Sequence, residues 1–342
     1  MTETIVPQAQ LTALAVRALV NGGMAEDEAA LAARVSVMAD MFGLRTHGIL
    51  RIPQYLNRVR LGGIDPRAEV TVERTAPGIA LVDGKDGVGT LVGMRALEAA
   101  KEGARNAGIG AAFVRASNHF GPIAPYAYLA AQDGFASIIG SNASTTIAPW
   151  GGRDTRLGNN PLGITVPNPG GDPIMLDMAM SVAARGRMRA LRDKGESMPE
   201  GWATDRDGKP TTDAAAGLAG FILPFGGYKG YGLAVMVDML AGMLSGGGYL
   251  THVSPWDKVP EKPSNNGHFY ILIDTARLGS TAWLKQRIED FASILRSTPP
   301  ADPAVPVMAP GDREMKAYHR AGREGVRVGT ADLEALQKEA AA

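Results

Sequence analysis

The stretch Ile79-Ala80-Leu81-Val82-Asp83-Gly84-Lys85-Asp86-Gly87-Val88-Gly89-Thr90-Leu91-Val92-Gly93 decides the fold. A short apolar run, Ile79 to Val82, reads as a strand; clustered glycines follow; a segment rich in Ala, Glu, Lys and Arg, Met94 to Asn106, then reads as a helix. That order resembles the phosphate loop of a Rossmann domain, in which tight glycines aim a helix N-terminus at a pyrophosphate. The spacing, G-x-G-x-x-x-G, is one residue off the strict form. Asp83 intervenes, and the following strand, Ile109 to Val114, runs into Arg115 where ribose binding wants an acid. We read the stretch as a strand–turn–helix connection and not as a dinucleotide site.

Upstream, apolar residues at three- and four-residue steps predict helices over residues 8–20 and 26–42, and a third over 46–60, stopped by Gly62-Gly63. The first 60 or so residues are thus a helical layer. Around and beyond the central stretch, strands are expected over 69–73, 136–140, 174–177 and 268–273. Helices are expected over 126–132, 230–244, 281–295 and 330–339. Residues 141–173 read as loop, 192–217 as a surface excursion and 299–310 as an extended, proline-rich crossing. Alternating strands and helices give an α/β fold.

The 342 residues contain 35 Lys+Arg against 35 Asp+Glu, which argues against nucleic acid or an anionic membrane as the main partner. There is no cysteine, hence no disulfide, thiolate metal site or cysteine nucleophile. Five histidines lie scattered without ligand spacing, so no metal is expected. Neither an apolar leader nor a span of about 20 apolar residues is visible, and a cytoplasmic protein is expected.

Four short constellations can carry chemistry. In Arg45-Thr46-His47-Gly48-Ile49-Leu50-Arg51, a helix would put His47 and Arg51 on one face. A solvated face is the plain reading; the chemical one is an imidazole of near-neutral pKa beside a guanidinium whose planar fork grips a carboxylate. Ser117-Asn118-His119-Phe120-Gly121 follows a strand, where functional loops concentrate, although a histidine there also serves as a cap. Pro149 to Pro161 and Met175 to Ser181 combine glycines that admit a ligand with Asp177, a carboxylate at a strand end that is either paired or a helix cap. Pro224 to Gly232 opens an apolar helix with Lys229, an anion site or an ordinary glycine turn.

Their joint order is the specific signal. "THGILRIPQYLNRV", "SNHFGPIAPYA", "APWGGRDTRLGNNPLGITVP", "LDMAMS", "LPFGGYKGYGLAVMVDMLAGMLSG", "NNGHFYILID" and "APGDREMKAYHRAGREGV" together span residues 46 to about 326. In these segments the chain resembles the type 2 malate/L-lactate dehydrogenase family, which also holds ureidoglycolate, sulfolactate and diketogulonate enzymes and piperideine/pyrroline-2-carboxylate reductases.

The resemblance implies a non-Rossmann, sulfolactate dehydrogenase-like α/β fold. It has a large mixed, mainly antiparallel sheet with helices, an N-terminal helical layer (residues 1–62) and a smaller α/β part (63–115, completed by about 297–342). The cofactor domain is expected over 116–296. It implies a homodimer with a shared active site, a small carboxylate substrate, and NAD as cofactor with NADP possible. His47 matches the proton donor, Thr46 and Asp177 the relay that orients it, and Arg51 the carboxylate-binding residue. His119 matches a catalytic base in some members and a cofactor contact in others. Phe120, Gly121, Asn142, Ser144, Asp177, Met178, Ala179, Lys229, Pro310, Gly311 and Asp312 match cofactor-contacting segments. Thr46 stands where Ser is usual, Asn159 where Thr is usual, and Asp312 where Glu is common. The reaction implied is hydride transfer between nicotinamide and a 2-oxo/2-hydroxy carboxylate. Reduction of a cyclic imine such as Δ1-piperideine-2-carboxylate is the alternative, and a catalytically silent nucleotide-binding homologue the second.

Overall fold

The computed structural model describes residues 2–342. In chain order it runs β1 (Glu3–Val6), α1 (Gln8–Asn21), α2 (Glu26–Met41), α3 (Ile52–Leu61), β2 (Thr71–Ala76), β3 (Ile79–Asp83), α4 (Gly89–Ala107), β4 (Ile109–Ser117), α5 (Ala124–Gln132) and β5 (Phe135–Ser141). Next come β6 (Thr145–Ile147), β7 (Leu157–Gly158), β8 (Leu162–Val166), β9 (Ile174–Met178), α6 (Arg185–Lys194), β10 (Ala203–Thr204), β11 (Pro210–Thr211), α7 (Ala214–Ala219) and β12 (Phe221–Ile222). The chain closes with α8 (Tyr228–Asp238), β13 (Asn266–Asp274), α9 (Thr281–Arg296), α10 (Asp312–Glu324), β14 (Val326–Gly329) and α11 (Thr330–Ala341).

Seven strands form the main sheet in the order β2-β3-β4-β13-β5-β8-β9. Only β3 and β4 pair in parallel; every other neighbouring pair is antiparallel. The sheet is therefore mixed and mainly antiparallel, as the family resemblance implies. Alternation along β13 separates its faces. Tyr270 and Leu272 pack with Val82, Val114, Ile139 and the α4 residues Val92 and Leu97, while Phe269 packs with Ala234 and Val237 of α8. Each large apolar side chain so buried contributes about 1.5–3 kcal/mol.

The glycine-rich stretch is the connection between β3 and α4. Its last turn lies against backbone: a Cβ on Gly89 would stand 2.4 Å from the carbonyl oxygens of Asn118 and His119. The glycine serves close packing of α4 beneath the His119 loop.

The expected boundary at 115/116 falls inside β4, because β2, β3 and β4 are hydrogen-bonded members of the same sheet as β5 and β13. The C-terminal segment also goes elsewhere than expected. β14 pairs with β1, and Val326, Leu333 and Leu336 share a core with Leu11, Leu19, Val37 and Ile52, so this segment completes the N-terminal helical layer. Two 3₁₀ turns, Arg45–His47 and Ile49–Arg51, replace the expected start of the third helix. The buried Asp40 carboxylate accepts the Ile49 N–H at 2.8 Å and fills the space where a Gly48 Cβ would sit, so the chain kinks at Gly48 and α3 starts after it. Among the described residues no helix is long and apolar enough to cross a membrane, and no cluster of three His, Cys, Asp or Glu is placed to hold a metal ion.

Candidate active site

The two 3₁₀ turns present Thr46, His47 and Arg51 beside the loop that leaves β4. The His47 and His119 rings stack with centroids 5.4 Å apart, and Trp256 stacks on His119 at 5.4 Å. The Arg51 guanidinium lies over the Trp256 ring at 5.1 Å and donates to the Thr46 carbonyl (2.7 Å) and to Gln54 (2.7 Å). Thus the sequence-predicted His47, Arg51 and His119 converge, although not through a shared α-helical face.

Tyr55 and Trp256 were not singled out from the sequence. The Tyr55 hydroxyl bonds His119 Nδ1 at 2.6 Å. Tyr55 follows Arg51 by one helical turn, which was the available signal; Trp256 comes from a distant loop. That loop is fixed by Arg58, a fully buried guanidinium donating to the carbonyls of Pro260, Lys262 and Gly63 and to Asn118 Oδ1.

Burial pushes the His47 imidazole down to about 4, with the Arg51 charge as the second cause. His119 is pushed well below its ordinary value by burial first and then by His47 and Arg51. The near-neutral imidazole expected from the sequence is thus neutral, without a proton to give, at pH 7. One reason is the place of Asp177. Thr46 Oγ1 bonds His47 Nδ1 at 2.8 Å, so one half of the expected relay is present. Asp177 instead accepts the Ala124 N–H at 2.8 Å and is also hydrogen-bonded by the Ile123 N–H. α5 begins after Ile123, which has no capping side chain, so β9 provides the acceptor its first turn lacks. Burial raises the Asp177 carboxyl to about 6 against those two bonds.

Asp177 ties the His119–Gly121 loop to a strip of the remaining predicted residues. Met180 N–H donates to the Asn159 carbonyl (2.7 Å), and Phe225 N–H to the Met180 carbonyl (3.0 Å). Asn160 bridges Ala143 N–H and the Ala234 carbonyl. Met175 N–H donates to the Pro310 carbonyl at 3.0 Å. Asn142, Ser144, Met178, Ala179, Pro310 and Gly311 are therefore neighbours of this strip. Within it the Asn142 amide is buried and engaged with Gly248 O and Gly267 N–H. Asp312 is paired with Arg296, and that pair lines a cleft of about 770 Å³.

The strip fits a nicotinamide dinucleotide. Gly226 and Gly227, at φ +60° and +66°, lead into α8, whose first-turn N–H groups lack intrahelical acceptors. Lys229 on that turn is exposed and, among the described residues, in no ion pair, and the buried Thr146 hydroxyl of β6 has no partner among them. Together these are the donors a pyrophosphate and ribose call for.

The main sheet is mixed and outside the Rossmann plan, and the loop that leaves its strand β4 brings histidine and arginine side chains together. The family model for malate/L-lactate dehydrogenase matches residues 6–337. The chain is 37% identical over 301 residues to a malate dehydrogenase of Pyrococcus horikoshii, covering 86% of this chain and 82% of that one. It is 34% identical over 319 residues to a Δ1-pyrroline-2-carboxylate reductase of Ancylobacter novellus, covering 93% and 92%. The solved sulfolactate dehydrogenase of Methanocaldococcus jannaschii superposes with a TM-score of 0.91 at 33% identity, covering 98% and 96%. The chain belongs to the malate/L-lactate dehydrogenase family.

Proposed function

We propose that the protein transfers a hydride between a nicotinamide dinucleotide, NAD in the first instance, and C2 of a small 2-oxo or 2-hydroxy carboxylate. The observation that supports this most is the His47–His119–Arg51 cluster under Trp256, joined through Asp177 to the glycine-lined strip. The bound nicotinamide supplies the hydride. Arg51 holds the substrate carboxylate in its planar fork and so orients the C2 oxygen toward His47. In the oxidative direction neutral His47 takes the hydroxyl proton; in reduction His47 first takes up a proton from water and passes it to the oxygen. General acid–base catalysis of this kind is worth about 10²–10⁴-fold. Thr46 fixes the ring through Nδ1 and leaves Nε2 for the substrate. Tyr55 orients His119 in the same way.

The active unit in this reading is a homodimer in the cytoplasm. α8 and the π turn that extends it expose Leu233, Met236, Met243 and Leu244 (45, 52, 50 and 61%), an apolar row suited to a second copy. Steady-state reduction of pyruvate, oxaloacetate, sulfopyruvate and Δ1-piperideine-2-carboxylate, each with NADH and NADPH, tests the function. Turnover of a keto acid, lost in His47→Ala, is expected. Preference for the imine assigns the reductase reaction instead, and cofactor binding without any turnover marks a silent homologue.

A further inference from the structure

His268 lies in the middle of β13, opposite Val114 of β4 on one side and Ser141 of β5 on the other. It is fully buried, and both ring nitrogens are engaged: Nδ1 with Ser141 Oγ and Nε2 with Ser117 Oγ, each at 2.8 Å. The Ser141 hydroxyl donates its one proton to the Asn142 carbonyl at 2.8 Å, so it accepts from Nδ1–H. Nε2 then accepts the Ser117 hydroxyl proton, whose other acceptor, the Asn118 carbonyl, is farther away at 3.3 Å. Burial holds the ring neutral, its pKa down at about 3. Its face stacks on Phe120 at 4.1 Å and 10°. Ser117 and Phe120 flank His119, while Ser141 precedes Asn142.

We propose that His268 is a positioning residue: its neutral imidazole, bridging Ser117 and Ser141 across the centre of the sheet, holds the His119 loop in register with the Asn142 loop. The assignment of those loops to substrate and cofactor rests on the dehydrogenase reading above. An apolar side chain would fill the same space and hold neither hydroxyl. The two ends separate by isosteric substitution. In His268→Asn the amide nitrogen stands where Nδ1 was and keeps the Ser141 bond; in His268→Gln the amide reaches the Nε2 position and keeps the Ser117 bond.

The experiment compares both variants as full-length protein, by NADH affinity from fluorescence, kcat and KM for the keto acid, and ¹⁵N-imidazole NMR of the four histidines that remain. In His268→Asn, kcat falls about tenfold or more, on the scale of one lost buried hydrogen bond, with NADH affinity held within about twofold. In His268→Gln, NADH affinity falls about tenfold and the His119 resonances stay in place. Unchanged parameters in both variants, or equal loss of both functions in both, overturn the proposal. Should either variant fail to fold, Ser117→Ala and Ser141→Ala divide the two ends in the same way. The spectra need no turnover. A His119 resonance displaced in His268→Asn and unmoved in His268→Gln supports the proposal even if the chain reduces none of the acids tested; the reverse pattern overturns it.

Discussion

Gly48→Ala places a methyl group on the kink that aims His47. The added Cβ would lie 2.1 Å from Asp40 Oδ1 and 2.2 Å from its Cγ, so the carboxylate must leave. Asp40 is 6% exposed and accepts the Ile49 N–H at 2.8 Å. Losing that bond leaves a buried donor unsatisfied, at about 1–3 kcal/mol. Forcing a methyl into a filled space adds about 1–3 kcal/mol. We expect a total of about 2–6 kcal/mol, a Tm lowered by about 3–8 °C for a chain of this size, and kcat/KM reduced about 10²-fold by displacement of the adjacent imidazole. The assay is thermal unfolding in a double-mutant cycle with Asp40→Ala. Asp40→Ala alone removes the acceptor and costs about 1–3 kcal/mol, but it also clears the space, so Gly48→Ala on that background adds less than about 1 kcal/mol. Full additivity of the two changes would refute the steric coupling, and with it the account of why the chain kinks at Gly48.

Three further outcomes follow from the charges around the site. The acid limb of kcat/KM for hydroxy-acid oxidation, which reports free-enzyme His47, lies near its lowered value of about 4. Because the Arg51 charge disfavours imidazolium, Arg51→Gln moves that limb to higher pH, and a profile left in place contradicts the assignment. Arg185 and Arg189 lie on one face of α6; Arg51 is lowered by burial first and then by the Arg189 charge, against Tyr55 and Asp257, and Asp257 also acts on Arg185. Arg189→Ala therefore raises KM for the dianion oxaloacetate about tenfold and for pyruvate less than about twofold, as steady-state kinetics would show. Burial raises Asp40 from 3.8 to about 7, so between those values the native chain holds a proton there that the unfolded chain releases. Stability from this group is fully present below 3.8 and lost as pH rises to about 7; Asp40→Asn matches the wild-type Tm below pH 3.8 and exceeds it increasingly up to pH 8.

Much of the fold was legible where pattern and burial agree. α1 and α2 lie close to their apolar periodicities, α1 turning one stripe to one core and α2 burying residues in two, while α4 was legible from its helix propensity and β4 from its β-branched and small apolar residues. β8 was hidden in the stretch read as loop: Pro161 and Gly163 weaken its strand signal, and pairing with β5 and β9 makes it a strand. α10 escaped because its sequence, DREMKAYHRAGRE, buries only Met315 and Ala321 deeply. At the site, His47, Arg51 and His119 were legible because functional side chains stand in compact segments. Trp256, Arg58 and His268 were not, since each acts through partners from other segments that only the folded sheet and its loops bring near. Asp177 was correctly marked as a carboxylate needing partners, but the partners are the N–H groups of α5 and not the histidine relay. No local pattern at Asp177 announces a helix start more than fifty residues earlier in the chain.

The most direct test of the central claim is a crystal structure of the dimer with NAD and oxamate, an unreactive mimic of a 2-oxo acid. The account predicts the oxamate carboxylate on the Arg51 fork, its carbonyl oxygen within hydrogen-bond distance of His47 Nε2, and the pyrophosphate at Lys229 and the start of α8. A dinucleotide bound away from the β9–α8 strip, with His47 and Arg51 remote from its nicotinamide ring, would contradict it.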